Sequence, residues 1–373
     1  MSSKRQKKEA EKSREKWGAK KAKLEAEGES MTKFKPFEKH RCFALFLGYK
    51  GGLYCGMQRQ TDEHGIDRVL TIEGRLLAGL VESGWLDPGV AKEPHSLALS
   101  RAARTDKGVH AVVNVVACNL KEGEDLNKQV DRLNEALGKE SEISVFFAQK
   151  VIVKFDARLF CDKRRYEYLI PVSSPDCPWS GSPWKETLEV MRETFKLFIG
   201  TRNFFNFTSG LKVGDASANR HIISAEVVEV DDKFVKLVIQ GQSFLLNQIR
   251  KLVGACVECC IGRVTQEEIK QALNPETRRN FRMVPGEGLL LDGLFFETYD
   301  EFRCDYKNIL PLGWSVAENK DKLETFKKDV IYPEVMSTLP GLFLKLVSEY
   351  SGPVSSEESG TPEDSAEAGL HED

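Results

Sequence analysis

The chain has 373 residues, 41% of them apolar, enough to bury the core of one large domain or two with tails to spare. Its formal charge of −3 is unevenly spread: residues 1–23 hold ten Lys/Arg against three Glu, and residues 349–373 hold eight Asp/Glu and no Lys/Arg. The near-neutral middle makes no general electrostatic case for a nucleic-acid partner, though it leaves room for local basic patches. Nine scattered cysteines, an odd number, fit free thiols in a reducing compartment better than a disulfide framework, and no stretch approaches the roughly eighteen apolar residues of a membrane span.

Residues 1–38 form a basic arm, expected to be disordered, with "KRQKK" and "KKAK" about a dozen residues apart. Paired clusters of this kind suit an import receptor, so the nucleus is the expected location, ahead of the mitochondrion or cytoplasm. Glu9, Glu11 and Glu15 argue against a mitochondrial presequence. "RCFALFLGY" (41–49), "VHAVVNVVACNL" (109–120) and "RRYEYLIPV" (164–172) are predicted strands. "TIEGRLLAGLVESGW" (71–85) carries Ile72, Leu76 and Leu80 at helical spacing, and "ETLEVMRETFKLFIG" (186–200) does so with Leu188, Met191, Phe195 and Phe198. "AEVVEVDDKFVKLVIQG" (225–241) predicts a hairpin turning at Asp231–Asp232, and "LLNQIRKLVGACVECCIG" (245–262) a helix with a stripe of Ile249, Val253, Cys256 and Cys260. Cys256, Cys259 and Cys260 have no second pair at zinc-finger distance and are expected in the core, with no metal. Residues 349–373 are Ser/Gly/Pro/Glu-rich and expected to be disordered. Hairpins outnumber clear βαβ units, which points to an α+β fold.

"SRAARTDKGVHA" (100–111) places one acid, Asp106, among Arg104, Lys107 and Gly108. Turn chemistry alone accounts for Thr-Asp-Lys-Gly. Two features point further: in extended backbone Arg104 and Asp106 share a side, and the loop feeds a buried-looking strand, which would hold the acid at a sheet rim. A carboxylate beside a fixed cation stays ionised, and one that also faces a cleft can act as a nucleophile. A lone acid among cations does not suit metal-dependent phosphotransfer or nuclease chemistry.

"ARTDKGVHA" resembles the motif around the catalytic aspartate of the TruA-type tRNA pseudouridine synthases. Its five fixed residues should coincide by chance in roughly one chain in ten thousand of this length. Further resemblances follow in family order over about residues 41–299: "GYKGGLYCGMQRQ" (48–60), "FDARLFCDKRRYEYLIP" (155–171), "GTRNFFNFTS" (200–209), "GQSFLLNQIRKLVG" (241–254) and "PGEGLLLDGLFF" (285–296). The wording of "GMQRQ" and "QSFLLNQIRK" resembles the eukaryotic branch, which commonly has His at the position of Asn247 and Ser at that of His110. His110 is expected to be packed or to face RNA rather than to react.

The resemblance implies two similar halves forming a mostly antiparallel central sheet flanked by helices, around a central RNA-binding cleft. The expected division is an arm (1–38), an N-terminal half with the nucleophile loop (39–175), a C-terminal half (176–330) and an extension with an acidic tail (331–373). It implies an isomerase that converts uridines of tRNA, or of other structured RNA, to pseudouridine without a cofactor. Asp106 would be the nucleophile, Arg250 its ion-pair partner, and Tyr166 the ring that stacks on the base and assists its proton. Leu289 would close the apolar side of the pocket, with Arg104 and Thr105 beside the flipped nucleotide. Phosphate contacts would come from Arg59, Lys107, Lys163, Arg164, Arg165 and Lys251. The competing reading is a catalytically silent RNA-binding or tRNA-chaperone protein on the same fold; the joint presence of Asp106, Tyr166 and Arg250 argues against it.

Overall fold

In the computed structural model the described residues are 40–350, apart from 63–65, 93, 124, 173–183, 213, 275, 277 and 304–309. The basic arm, nearly all of the acidic tail and the boundary expected between the two halves at 175/176 lie outside them. Nine strands form one sheet: β1 (His40–Tyr49), β2 (Ser100–Arg101), β3 (His110–Lys121), β4 (Ile143–Lys150), β5 (Lys163–Pro171), β6 (Gly200–Asn203), β7 (Asn219–Glu229), β8 (Phe234–Gly241) and β9 (Leu289–Phe295). Their order is β4-β1-β3-β9-β5-β8-β7-β6, with β2 added to β3. Neighbours are antiparallel except β3 and β9, which run parallel through His110 opposite Leu290 and Ala111 opposite Leu291. The fold is therefore α+β, with a mostly antiparallel central sheet flanked by helices.

Strand position follows residue pattern. β3, "HAVVNVVACNLK", is Val-rich and buried along almost its whole length, as a strand covered on both faces must be. β4 at the edge alternates buried and half-buried residues, as suits one covered face. The predicted hairpin forms between β7 and β8, where the Asp231 carboxylate accepts from the backbone N–H groups of Lys233 and Phe234, each at 2.8 Å.

Helix α1 (Ile72–Glu82) is capped by Thr71, whose hydroxyl accepts from Gly74 N at 3.2 Å, and buries Ile72, Leu76 and Leu80 as its spacing predicts. It packs on α2 (Leu126–Leu137), which the sequence reading did not include. Helix α3 (Trp184–Lys196) packs on α4 (Gln248–Cys260). The thiols of Cys256 and Cys260 turn toward α3, donating to the carbonyls of Met191 and Thr187 at 3.6 and 3.9 Å, so the cysteine stripe serves packing. After β9, helix α5 (Lys320–Phe326) and a π-helical turn (Lys327–Ile331) lead into α6 (Tyr332–Tyr350), which packs across β5 and buries Val335, Leu339 and Phe343.

Candidate active site

The Asp106 loop is pinned residue by residue. Ala102 N donates to Val115 O at 2.8 Å, and Asn114, a buried polar residue inside the Val-rich β3, brackets Ala103. Asn114 Oδ1 accepts from Ala103 N at 3.3 Å while its Nδ2 donates to Ala103 O at 3.0 Å and to the Tyr49 hydroxyl at 3.1 Å. The Tyr49 and Thr105 hydroxyls share a hydrogen bond of 2.8 Å, and Met57 N donates to Thr105 O at 3.0 Å. Val109 N then closes a turn on Asp106 O at 3.2 Å, with Gly108 at φ +79, a conformation that glycine adopts without strain. Asp106 itself is half-buried, between buried Thr105 and exposed Lys107.

The segment before β9 forms the opposite wall. A Cβ on Gly286 would lie 2.5 Å from Lys107 O, so only glycine permits this approach of the two backbones. Arg250, in the first turn of α4, donates Nε–H to Val284 O at 2.8 Å, and Val284 N donates back to Arg250 O at 3.4 Å. The fold thus carries Arg250 from a distant helix to the segment that touches the Asp106 loop. Its single Nε–H is used by Val284, which leaves the Nη groups for any other acceptor. Asn247, entering this helix at φ +59, occupies the left-handed region that Asn tolerates.

Tyr166 lies in the middle of β5, opposite Ile239 of β8 and Leu291 of β9, with its ring edge-on to Phe244 at 5.3 Å. Burial pushes its phenol above the ordinary range; Arg164 opposes this, and Tyr49 and the charge of Asp106 add to it. The acid's charge is thus felt at the tyrosine. Leu289 stands opposite Tyr168 on the same face of the sheet and is buried.

The basic residues divide sharply, and several expectations need correction. Arg164 is buried, and its guanidinium donates to four backbone carbonyls: Ala102 (3.0 and 2.8 Å), Cys161 (3.3 Å), Gln242 (2.7 Å) and Arg158 (3.1 Å). Every direction it can donate is taken up by protein, so it binds the loop and not a phosphate. Strand alternation puts Lys163 and Arg165 on the face away from Tyr166. Lys163 pairs with Glu297 at 2.7 Å and Arg165 with buried Asp292. Thr105 directs its hydroxyl inward to Tyr49, not to a ligand. Arg59 pairs with Asp67, and Lys251 donates to Asn280 Oδ1 at 2.9 Å. His110 is buried, accepts from Gly51 N at 3.2 Å on Nδ1, and is lowered to about 4 by burial, so it is a packed neutral imidazole.

Arg104 is exposed, and burial of part of its guanidinium, with the nearby charges of Arg101 and Arg158, holds its pKa below the ordinary value. Glu73 acts against them but is already paired with Arg101 at 2.7 Å. Arg158 is thus a cation of this site that the sequence reading did not select, although it stands inside the quoted "FDARLF" segment. Tyr49 and Asn114 were also missed; a lone Asn within "AVVNVVA" was the available signal, since a buried amide needs partners.

Comparisons with known proteins agree with this geometry. A family model described as tRNA pseudouridine synthase matches residues 194–297, a span that holds Arg250 and Leu289. The human protein named Pseudouridylate synthase 1 homolog is 31% identical over 304 residues, covering 79% of this chain and 69% of its own. The tRNA pseudouridine(27/28) synthase of Saccharomyces cerevisiae is 30% identical over 323 residues, covering 69% of this chain and 84% of its own. The tRNA pseudouridine synthase A of Methanosphaera stadtmanae is 30% identical over 299 residues, covering 79% and 94%. With an acid on a pinned loop, a buried tyrosine within reach of its charge and relatives of this identity and coverage, the chain belongs to the tRNA pseudouridine synthase family.

Proposed function

We propose that this chain isomerises uridines of tRNA to pseudouridine with Asp106 as its nucleophile. One observation carries the assignment of roles: Asp106 is a half-buried acid on a loop held in place at Ala102, Ala103 and Thr105, and its charge is felt at Tyr166. The reaction breaks the N1–C1′ bond, turns the uracil and rejoins it through C5, with a proton moving from C5 to N1. Product and substrate are isomers, so no energy source enters. The carboxylate attacks C1′ or C6 of a uridine extruded from the folded RNA, an extrusion that costs a few kcal/mol. Tyr166 stacks on the uracil as a neutral phenol, because burial keeps it protonated. Arg250 steadies the carboxylate through its Nη groups, Leu289 closes the apolar side, and Arg104 with Arg158 holds the displaced phosphate. The yeast relative's name carries positions 27/28, and we take that region of tRNA as the first place to look in this chain's substrates. We further propose that the basic arm directs the protein to the nucleus.

The test is pseudouridine mapping on tRNA transcripts treated with the full chain. Asp106→Ala should lower turnover by at least about 10⁴-fold, as loss of a nucleophile does, while tRNA affinity stays within several-fold. Residual conversion near the wild-type rate would remove Asp106 from the chemistry.

A further inference from the structure

Behind Tyr166, on the opposite face of the sheet, lies a cluster of charges that the chemistry above does not use. Glu167 and Asp292 are both buried, and Lys327, also buried, bridges them: its Nζ donates to Glu167 Oε1 at 2.9 Å and to Asp292 Oδ1 at 2.5 Å. Glu167 also accepts from Lys236 Nζ at 2.8 Å and from the Tyr332 hydroxyl at 2.7 Å, and Asp292 accepts from Arg165 Nε at 2.5 Å.

The placement of this cluster is specific. β5 and β9 pair as Tyr168–Leu289, Glu167–Leu290 and Tyr166–Leu291, and then the register jumps so that Arg165 faces Gly293. Asp292 is the extra residue, so the ladder carries a β-bulge directly beside Tyr166. A bulge bends its strand and re-aims the side chains next to it. Arg165 holds the bulge by pairing with Asp292, its guanidinium lying beside Gly293. Lys327 then ties the bulge residue to Glu167, which follows Tyr166 directly in β5. One ammonium therefore clamps both strands immediately behind the tyrosine. It arrives on the π-helical turn Lys327–Ile331, outside all the segments that carry the family resemblance. Such wider turns recur where a helix must present a group for function.

We propose that Lys327 and Arg165 are positioning residues for the isomerisation: by fixing the β9 bulge from behind, they set the aim of the Tyr166 ring at the base attacked by Asp106. The helical segment after β9 is then part of the catalytic device and not only a cover for the sheet. The inference rests on the role given to Tyr166 above.

The experiment measures kcat and KM for pseudouridine formation on a tRNA transcript, using the full chain and Lys327→Met, Lys327→Arg, Arg165→Met and Tyr166→Leu. Displacement of a reacting group by about 1 Å costs up to about 10²-fold in rate. Lys327→Met should lower kcat about 10-fold to 100-fold with KM within about 3-fold, Lys327→Arg should recover most of the loss, and Arg165→Met should lower kcat several-fold with KM unchanged. Arg165 is partly exposed and its loss leaves Asp292 paired with Lys327, so Arg165→Met decides the matter if Lys327→Met does not fold. A raised KM with unchanged kcat in Arg165→Met would make it an RNA contact and overturn the proposal. So would a folded Lys327→Met with wild-type kcat. If Tyr166→Leu is impaired while both clamp variants match wild type, the clamp alone is wrong. If Tyr166→Leu is fully active, or the wild type makes no pseudouridine, the underlying reading fails and takes the clamp with it.

Discussion

The two faces of β5 carry adjacent arginines with opposite fates. On the face of Tyr166, Arg164 is spent on four carbonyls, Arg101 pairs with Glu73, and Arg104 feels the charges of Arg101 and Arg158. On the back face three cations meet two buried carboxylates within hydrogen-bond distance. Like charges held together cost free energy unless something of opposite sign arrives. On the side of Tyr166 the cations outnumber the one carboxylate among them, and on the back face the charges are matched within the protein.

This contrast can be broken most forcefully at Arg164. Arg164→Met strips four buried carbonyls of their donor and should destabilise the fold by more than about 3 kcal/mol, read as a fall in denaturation midpoint. A variant of wild-type stability would return Arg164 to the substrate contacts.

His110 offers a second test. Its folded pKa, about 4, lies below the ordinary 6.5, so the unfolded chain binds the proton more readily between those values. Stability from this residue is complete above pH 6.5 and is lost as pH falls toward 4, by up to about 3 kcal/mol. His110→Gln, which keeps an acceptor for Gly51 N, should flatten that part of the melting temperature against pH; an unchanged slope would place the acid sensitivity elsewhere.

Smaller effects separate the cations. Arg104→Gln and Arg158→Gln should each weaken tRNA binding several-fold and reduce the slope of log affinity against log salt by about 1. Lys163→Ala, whose partner Glu297 is exposed on the far face, should change neither tRNA affinity nor stability by more than about 0.5 kcal/mol. Equal salt slopes across all three variants would erase the distinction between the faces.

Much of this architecture was legible in the sequence, and the gaps have physical causes. Period-2 and helical spacing located β1, β3, β5, the β7–β8 hairpin, α1, α3 and α4, because each buries one continuous face or both. Helix α6 contains Pro340 in its interior, a residue that argues against a helix until packing on β5 is known. The acid and the tyrosine stood out through the resemblance of their segments to the family's motifs, not through spacing alone. "RRYEY" shows two arginines but not which sheet face each takes, and neighbours in a strand differ in environment as much as residues far apart. The bulge at Asp292 and the clamp from Lys327 depend on register and on a remote segment, which no local pattern reports.

The parallel join of β3 to β9 has a consequence for how the molecule comes into being. The Asp106 loop meets the sheet at this seam, and its far wall is encoded much later in the chain. During synthesis the N-terminal strands can assemble long before β9 emerges, but the pocket gains its second side only once β9 slots between β3 and β5. Nascent or prematurely ended chains would hold the acid without its opposite wall, so competence to modify RNA arrives late and only in molecules that have closed the seam.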